Sequence, residues 1–322
     1  MKFGILLGCV AIGAAMAADV PQADITNGIV KAKLYLPDAQ NGYYQGTRFD
    51  WSGVIASLEY KGHNYFGKWF DKYDPKIHDA ITGPVEEFMH DMKALGYDEA
   101  KPGELFVKIG VGAIKKLEEH QYKRFGTYEI ADTGKWSVKK GSDFVEFTQE
   151  LKDSNGYAYI YQKTVRLTKG KPELVLEHSL KNTGKKVIDT DVYDHDFYML
   201  DGVPTGPDTI VKFPFEVSTK DNLRGLAELH GKDLMYPKDL EKGQSAAGDM
   251  LGFGATAKDY DIRVENKKAG IGVRQVGDRP LSRMYFWSIP TTVCPEAYVS
   301  MKIDPGKDFT WKIAYEFYTL DK

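Results

Sequence analysis

Short runs in which apolar and polar residues alternate dominate the chain. Alternation with period two suits a strand with one buried face, because successive side chains point to opposite sides. Residues 29–36 show it first, with Ile29, Lys31, Lys33 and Tyr35 set against Val30, Ala32, Leu34 and Leu36. A strand-like run covers 54–60. Further runs follow at 105–111, 122–130, 134–139, 143–151, 157–167 and 173–181. Later ones fall at 209–217, 261–266, 270–276, 284–289, 298–303 and 309–320. Gly, Asn, Asp and Lys-Gly turns bound them, and Asn155-Gly156 and Lys169-Gly170 read as hairpin turns.

Other segments depart from this pattern. Pro84 is followed by Val85, Phe88, Met89, Met92 and Leu95 at helical spacing, ending at Gly96, which predicts a helix. Leu223, Leu226 and Leu229 suggest a second, shorter one. Residues 66–88, rich in Gly, Pro, Asp and aromatics, read as a long loop, and 114–125 fits either helix or strand. Neither a linker nor an internal repeat divides the chain. The expectation is one all-β domain over 18–322, a large antiparallel β-sandwich with one or two short helices.

The N-terminus changes the picture of where such a domain works. Met1-Lys2, an apolar run from Phe3 to about Ala14, and Ala15-Met16-Ala17 form the pattern of a signal peptide over 1–17, too short to span a membrane. The expectation is export to a periplasm or beyond the cell, with no membrane span. Past that segment only Cys294 remains, so no internal disulfide is expected and stability must come from an ordinary core. A net charge of −3 with no basic block argues against nucleic acid as partner. The 20 Tyr, 16 Phe and 5 Trp supply rings that can fill sheet cores or stack on sugars. Oligomeric state leaves no trace in the sequence.

Candidate chemistry lies in two stretches. In Tyr193-Asp194-His195-Asp196-Phe197, strand alternation puts Tyr193, His195 and Phe197 on one face and both aspartates on the other. That gives a hydrogen-bonded sheet histidine, or an imidazole between rings suited to a sugar-sized pocket. In Trp287 to Tyr298, Glu296 follows Cys294-Pro295 among apolar or small residues. Partial desolvation there would raise its pKa toward that of a usable base; the alternative is a strand-edge carboxylate facing water. Arg48 beside Phe49 and Trp51 can grip a hydroxyl or carboxylate, or simply stack at the surface. Asp189, Asp191, Asp194, Asp196 and Asp201 read as a solvated acidic edge rather than a calcium loop. His178 reads as a packed core histidine, and Cys294 as buried rather than nucleophilic.

The order of these features resembles the aldose 1-epimerase (galactose mutarotase-like) superfamily. The resemblance rests on the strand 173–181 leading to Asn182-Thr183-Gly184, on His195-Asp196-Phe197-Tyr198, and on Pro295-Glu296, a strand, Asp304-Pro305-Gly306 and an aromatic closing strand. It implies the galactose mutarotase-like supersandwich. It also implies interconversion of sugar anomers by acid/base ring opening, with His195 as general acid and Glu296 as general base, and no metal or cofactor. Ordinary pKa values would let histidine enter protonated and glutamate ionised near neutrality. Arg48 and His78 are the nearest matches to the family's hydroxyl-holding arginine and histidine, with His63 a rival to His78. Trp287 is a plausible stacking platform. The family's sugar-gripping aspartate has no clear counterpart among Asp249, Asp259 and Asp261. Two other activities share the scaffold: non-catalytic binding of a sugar or oligosaccharide, and cleavage of an acidic polysaccharide by a lyase or hydrolase.

Overall fold

The computed structural model describes residues 20–320; the signal-peptide segment 1–17 lies outside them. Two antiparallel sheets face each other. One has ten strands, running from an edge at Glu228–His230 through Asp308–Thr319 and Glu173–Asn182 to Lys135–Lys140. The other has five, in the order Ala246–Asp249, Arg283–Ile289, Thr292–Ile303, Ile188–His195, Val85–Met89. Between them lies the main core, where Phe88 of the smaller sheet packs edge-on against Tyr161 and Trp311 of the larger. Four- and three-stranded sheets flank this pair. Among the described residues no helix is long and apolar enough to cross a membrane.

Most predicted strands are present, including 157–167, 173–181 and 309–320 to within a residue or two. The predicted helix is not. Val85–Met89 is a strand, and all five of its positions are buried. Its Val85, Glu87 and Met89 face one way and Glu86 and Phe88 the other, and because both faces are covered the polar alternation disappears. Asp91 and Met92 then take positive φ values of 46° and 63°, which ends the strand in a tight turn. At the second predicted helix, Leu223–Gly225 forms only a 3-10 turn. Residues 122–130 are loop, not strand, apart from the start of Ile130–Asp132.

The acidic edge also needs correcting. Asp189, Asp191 and Asp201 do reach solvent, but Asp194 and Asp196 are fully buried between the sheets around the Tyr315 hydroxyl. Burial and the charge of Glu86 push the Asp194 carboxyl up to about 8. Burial and Asp194 push Asp196 well above the usual carboxylate range. Glu86, on the same inner face, bonds His178 at 2.6 Å and pairs with the buried Lys163. His178 is thus the packed, hydrogen-bonded histidine expected of it, stacked on Trp311 at 4.4 Å.

Candidate active site

The outer face of the five-stranded sheet carries the side chains that alternate away from the main core. Cross-strand pairing sets Glu87 beside Tyr193, Tyr193 beside Tyr298, Glu296 beside Tyr285, and Cys294 beside Trp287. Loops holding Tyr44, Phe49, Trp51, Ile81 and Phe197 cover this face and form a second apolar core. Within the cover a cavity of about 220 Å³ remains, walled by Arg48, Asp79, Arg124, His195, Trp287 and Glu296 among others.

His195 and Glu296 meet in it, with Nε2 and Oε1 3.4 Å apart. They come from neighbouring strands, Ile188–His195 and Thr292–Ile303, at positions that continue the Tyr193–Tyr298 register. The strand begins at Thr292, not at the predicted 298, so Glu296 sits inside it and is buried rather than facing water at a strand edge. The Tyr298 hydroxyl donates to its Oε2 at 3.1 Å. Burial raises the Glu296 carboxyl, Arg124 and Arg48 pull it down, and the balance leaves it at about 7. Burial and the charge of Arg48 hold the His195 imidazole well below its ordinary value. The shifts therefore run in opposite directions, and both depart from the ordinary values under which histidine would enter protonated and glutamate ionised. At neutral pH a neutral imidazole thus stands beside a carboxyl near its midpoint.

A ring stack fixes the imidazole. Phe197 lies parallel to it at 3.8 Å, Phe49 meets it edge-on at 5.6 Å, and Trp287 edge-on at 5.4 Å. Phe197 achieves this with φ of 47°, a left-handed backbone that bulky side chains rarely adopt and that recurs at functional sites. The Phe197 N–H donates to Cys294 Sγ at 3.3 Å. Burial pushes that thiol up, which keeps it protonated and inert.

Arg48 is buried, not a surface residue. Its Nε donates to Glu87 at 2.9 Å, its Nη1 pairs with Asp79, and its guanidinium lies over Phe49 and Phe125. Glu87 is fully buried and also receives Arg124 at 2.6 Å, Lys108 at 3.2 Å and the Tyr193 hydroxyl at 2.6 Å. Burial alone would raise this carboxyl; Arg124, Lys108 and Arg48 outweigh it and hold it well below the usual range. Asp79 behaves similarly: burial raises it, but Arg48 and His78 bring it down to about 2. Glu87 with three cations around it, and Asp79 on Arg48, fixes both arginines at the cavity wall and leaves the cluster net positive by one charge.

Of the residues expected from the sequence, Arg48, His195, Trp287 and Glu296 line the cavity. His78 does not. It stands behind the wall, with Nδ1 2.9 Å from Asp79 Oδ2 and its ring against Phe125. Its rival His63 is elsewhere, bonded to Asp201 at 2.6 Å. Asp249 pairs with Arg283, and Asp261 with Arg274, so neither reaches the cavity wall. The sequence reading missed Arg124, Glu87, Asp79, Tyr285 and Arg224. Arg124 precedes Phe125 just as Arg48 precedes Phe49, and that repeated pairing was a usable signal. Among the described residues no group of three or more His, Cys, Asp or Glu side chains is disposed to hold a metal ion.

Comparison with known proteins speaks to the fold. No protein-family model and no curated protein matches the sequence. Solved structures do match. A putative aldose 1-epimerase from Escherichia coli K12 aligns with a TM-score of 0.54 at 13% identity, over 94% of this chain and 100% of its own. A GalM/aldose epimerase homologue from C. elegans aligns with a TM-score of 0.56 at 12% identity, again over 94% and 100%. A galactose mutarotase related enzyme from Lactobacillus acidophilus gives 0.53 at 12%, over 94% and 99%. The chain has the galactose mutarotase-like fold, with a sequence far from these examples of it.

Proposed function

We propose that the protein binds a sugar in the cavity and interconverts its anomers, with Glu296 and His195 as the acid/base pair. The observation that carries this reading is the 3.4 Å approach of the two groups in a ring-lined cavity, with the carboxyl poised at about 7.

Below about pH 7 the pair carries one proton, which rests mainly on Glu296 and must pass to His195 for the reaction. When it sits on His195, the Glu296 carboxylate takes the proton of the anomeric hydroxyl while the imidazolium protonates the ring oxygen. The C1–ring-oxygen bond breaks and an open-chain aldehyde forms. Rotation about C1–C2 and the reverse transfers close the other anomer. Arg48 and Arg124, held by Glu87, offer N–H donors to sugar oxygens. Trp287 offers a ring for an apolar sugar face. Acting with 1–17 as a signal peptide, the protein would do this outside the cytoplasm, in a periplasm or beyond the cell.

One observation favours a binding protein without turnover. Burial and Arg48 hold the His195 imidazole neutral, and a neutral imidazole is a weak proton donor. The NMR anomeric exchange rate for a panel of free sugars, uronic acids included, separates the two readings. Exchange above the spontaneous rate that falls by about 10²–10⁴ in both His195→Ala and Glu296→Gln supports ring opening. Sugar binding with no acceleration by the folded wild type overturns it.

A further inference from the structure

A second, larger hollow adjoins the cavity. It is an open cleft of about 570 Å³ between the 69–71 and 242–245 segments, walled by Trp69, Phe70, Gln244, Ser245, Trp287 and Ile289. Trp287 belongs to both hollows. At their junction Arg224, on the cavity wall, donates to the Ser245 hydroxyl on the cleft wall. The two spaces are neighbours across one indole.

The cleft's aromatic floor is held by ring packing and a hydrogen bond. The Trp69 Nε1–H donates to the Ile81 carbonyl at 2.8 Å, and its ring lies parallel to Phe197 at 4.6 Å. Trp69 meets Phe70 edge-on at 5.5 Å and Trp287 edge-on at 5.9 Å. All three rings are only partly buried. Polar groups ring them: Ser245, Gln244 and, at the rim, the exposed Lys242–Asp71 pair at 3.6 Å. A pyranose has the same division, an apolar C–H face and a hydroxyl edge. Size points the same way. At about 220 Å³ the cavity falls below the ~300–1,000 Å³ of usual ligand sites. It suits one ring, and a longer glycan would need space next door.

We propose that this cleft is a second sugar-ring subsite. The substrate would then be an oligosaccharide that presents its reducing-end ring to His195 and Glu296 and its next ring to Trp69, Phe70 and Trp287. This deepens the sugar reading of the cavity and rests on it.

The test compares anomeric exchange of glucose, galactose and galacturonic acid with that of cellobiose, maltose, lactose and digalacturonic acid. In the wild type, kcat/KM for at least one disaccharide should exceed that of its reducing-end monosaccharide by about tenfold, the scale of one well-placed ring contact, mainly through KM. Phe70→Ala removes part of the platform, and Thr291→Trp fills the cleft from its exposed rim. Both should bring the ratio toward one while monosaccharide exchange stays within about twofold, a margin well under 1 kcal/mol. Exchange of monosaccharides with a ratio near one in the wild type overturns the second subsite and leaves the cavity reading standing. If no sugar is exchanged but disaccharides shift the Trp69 and Trp287 indole N–H signals, and Thr291→Trp abolishes the shift, the subsite stands and ring opening falls. Neither exchange nor shifts with any sugar overturns both.

Discussion

Replacing Glu296 by Gln should change how stability depends on pH, and the structure sets the size of the change. Glu296 is 3% exposed, and burial against the pull of Arg124 and Arg48 moves its carboxyl from 4.5 to about 7. The folded state therefore binds this proton more tightly than the unfolded state does. Stability from the protonated carboxyl is fully present below about pH 4.5 and is lost as pH rises through about 7. A shift of that size corresponds to about 3 kcal/mol. Glutamine keeps the shape and cannot ionise, so the variant escapes the loss. Urea unfolding of both proteins between pH 4 and 8 should show the variant gaining on the wild type by about 3 kcal/mol across that window, flat on either side. Asp50 and Asp194, raised to about 7 and about 8, titrate in both proteins and cancel in the difference. A difference that stays constant over the whole range would refute the claim that the site holds this carboxyl near neutrality.

Two further outcomes follow from the same charges. Anomeric exchange should fall about tenfold per pH unit above about pH 7, because the pair then loses its single shared proton; a pH–rate profile that is flat or rising to pH 9 would contradict that proton count. Glu87→Gln should cost about 3–5 kcal/mol in urea unfolding, because Arg48, Arg124 and Lys108 would then share a buried neutral amide; an unchanged midpoint would show that the carboxylate does not organise them.

Much of the fold was legible because strands with one wet face announce themselves. Residues 144–154 and 157–167 alternate buried and less buried positions, and pair around the Asn155-Gly156 turn as the sequence suggested. Val85–Met89 was misread for the opposite reason. With both faces covered it shows no alternation, and Val85, Phe88 and Met89 happened to fall at helical intervals. In the site, His195 stood out as an imidazole between rings and Glu296 as a carboxylate among apolar or small residues just before a strand-like run. Arg124 and Asp79 did not, because irregular loops bring them in and nothing periodic marks a loop's destination. Glu87 was hidden by the helix reading, which turned two adjacent buried acids into unremarkable surface charge.

Those two acids set a constraint on how this chain can vary. Glu86 points inward to Lys163 and His178, and Glu87 points outward to Arg48, Arg124 and Lys108. A one-residue slip of a strand exchanges its faces. Here such a slip would still deliver an acid to each side, but with Phe88 or Val85 where the other acid had been and the neighbouring apolar contacts reversed. The strand's reading frame is thus written in charge as well as in oiliness. A deletion between Asp79 and Val85 would have to be absorbed entirely by the loop, whose Gly83 lies so near the Asp196 carbonyl that an added Cβ would come within 2.2 Å. Around this strand the chain is therefore held in length by the strand's frame and in side chain at Gly83 and the two acids.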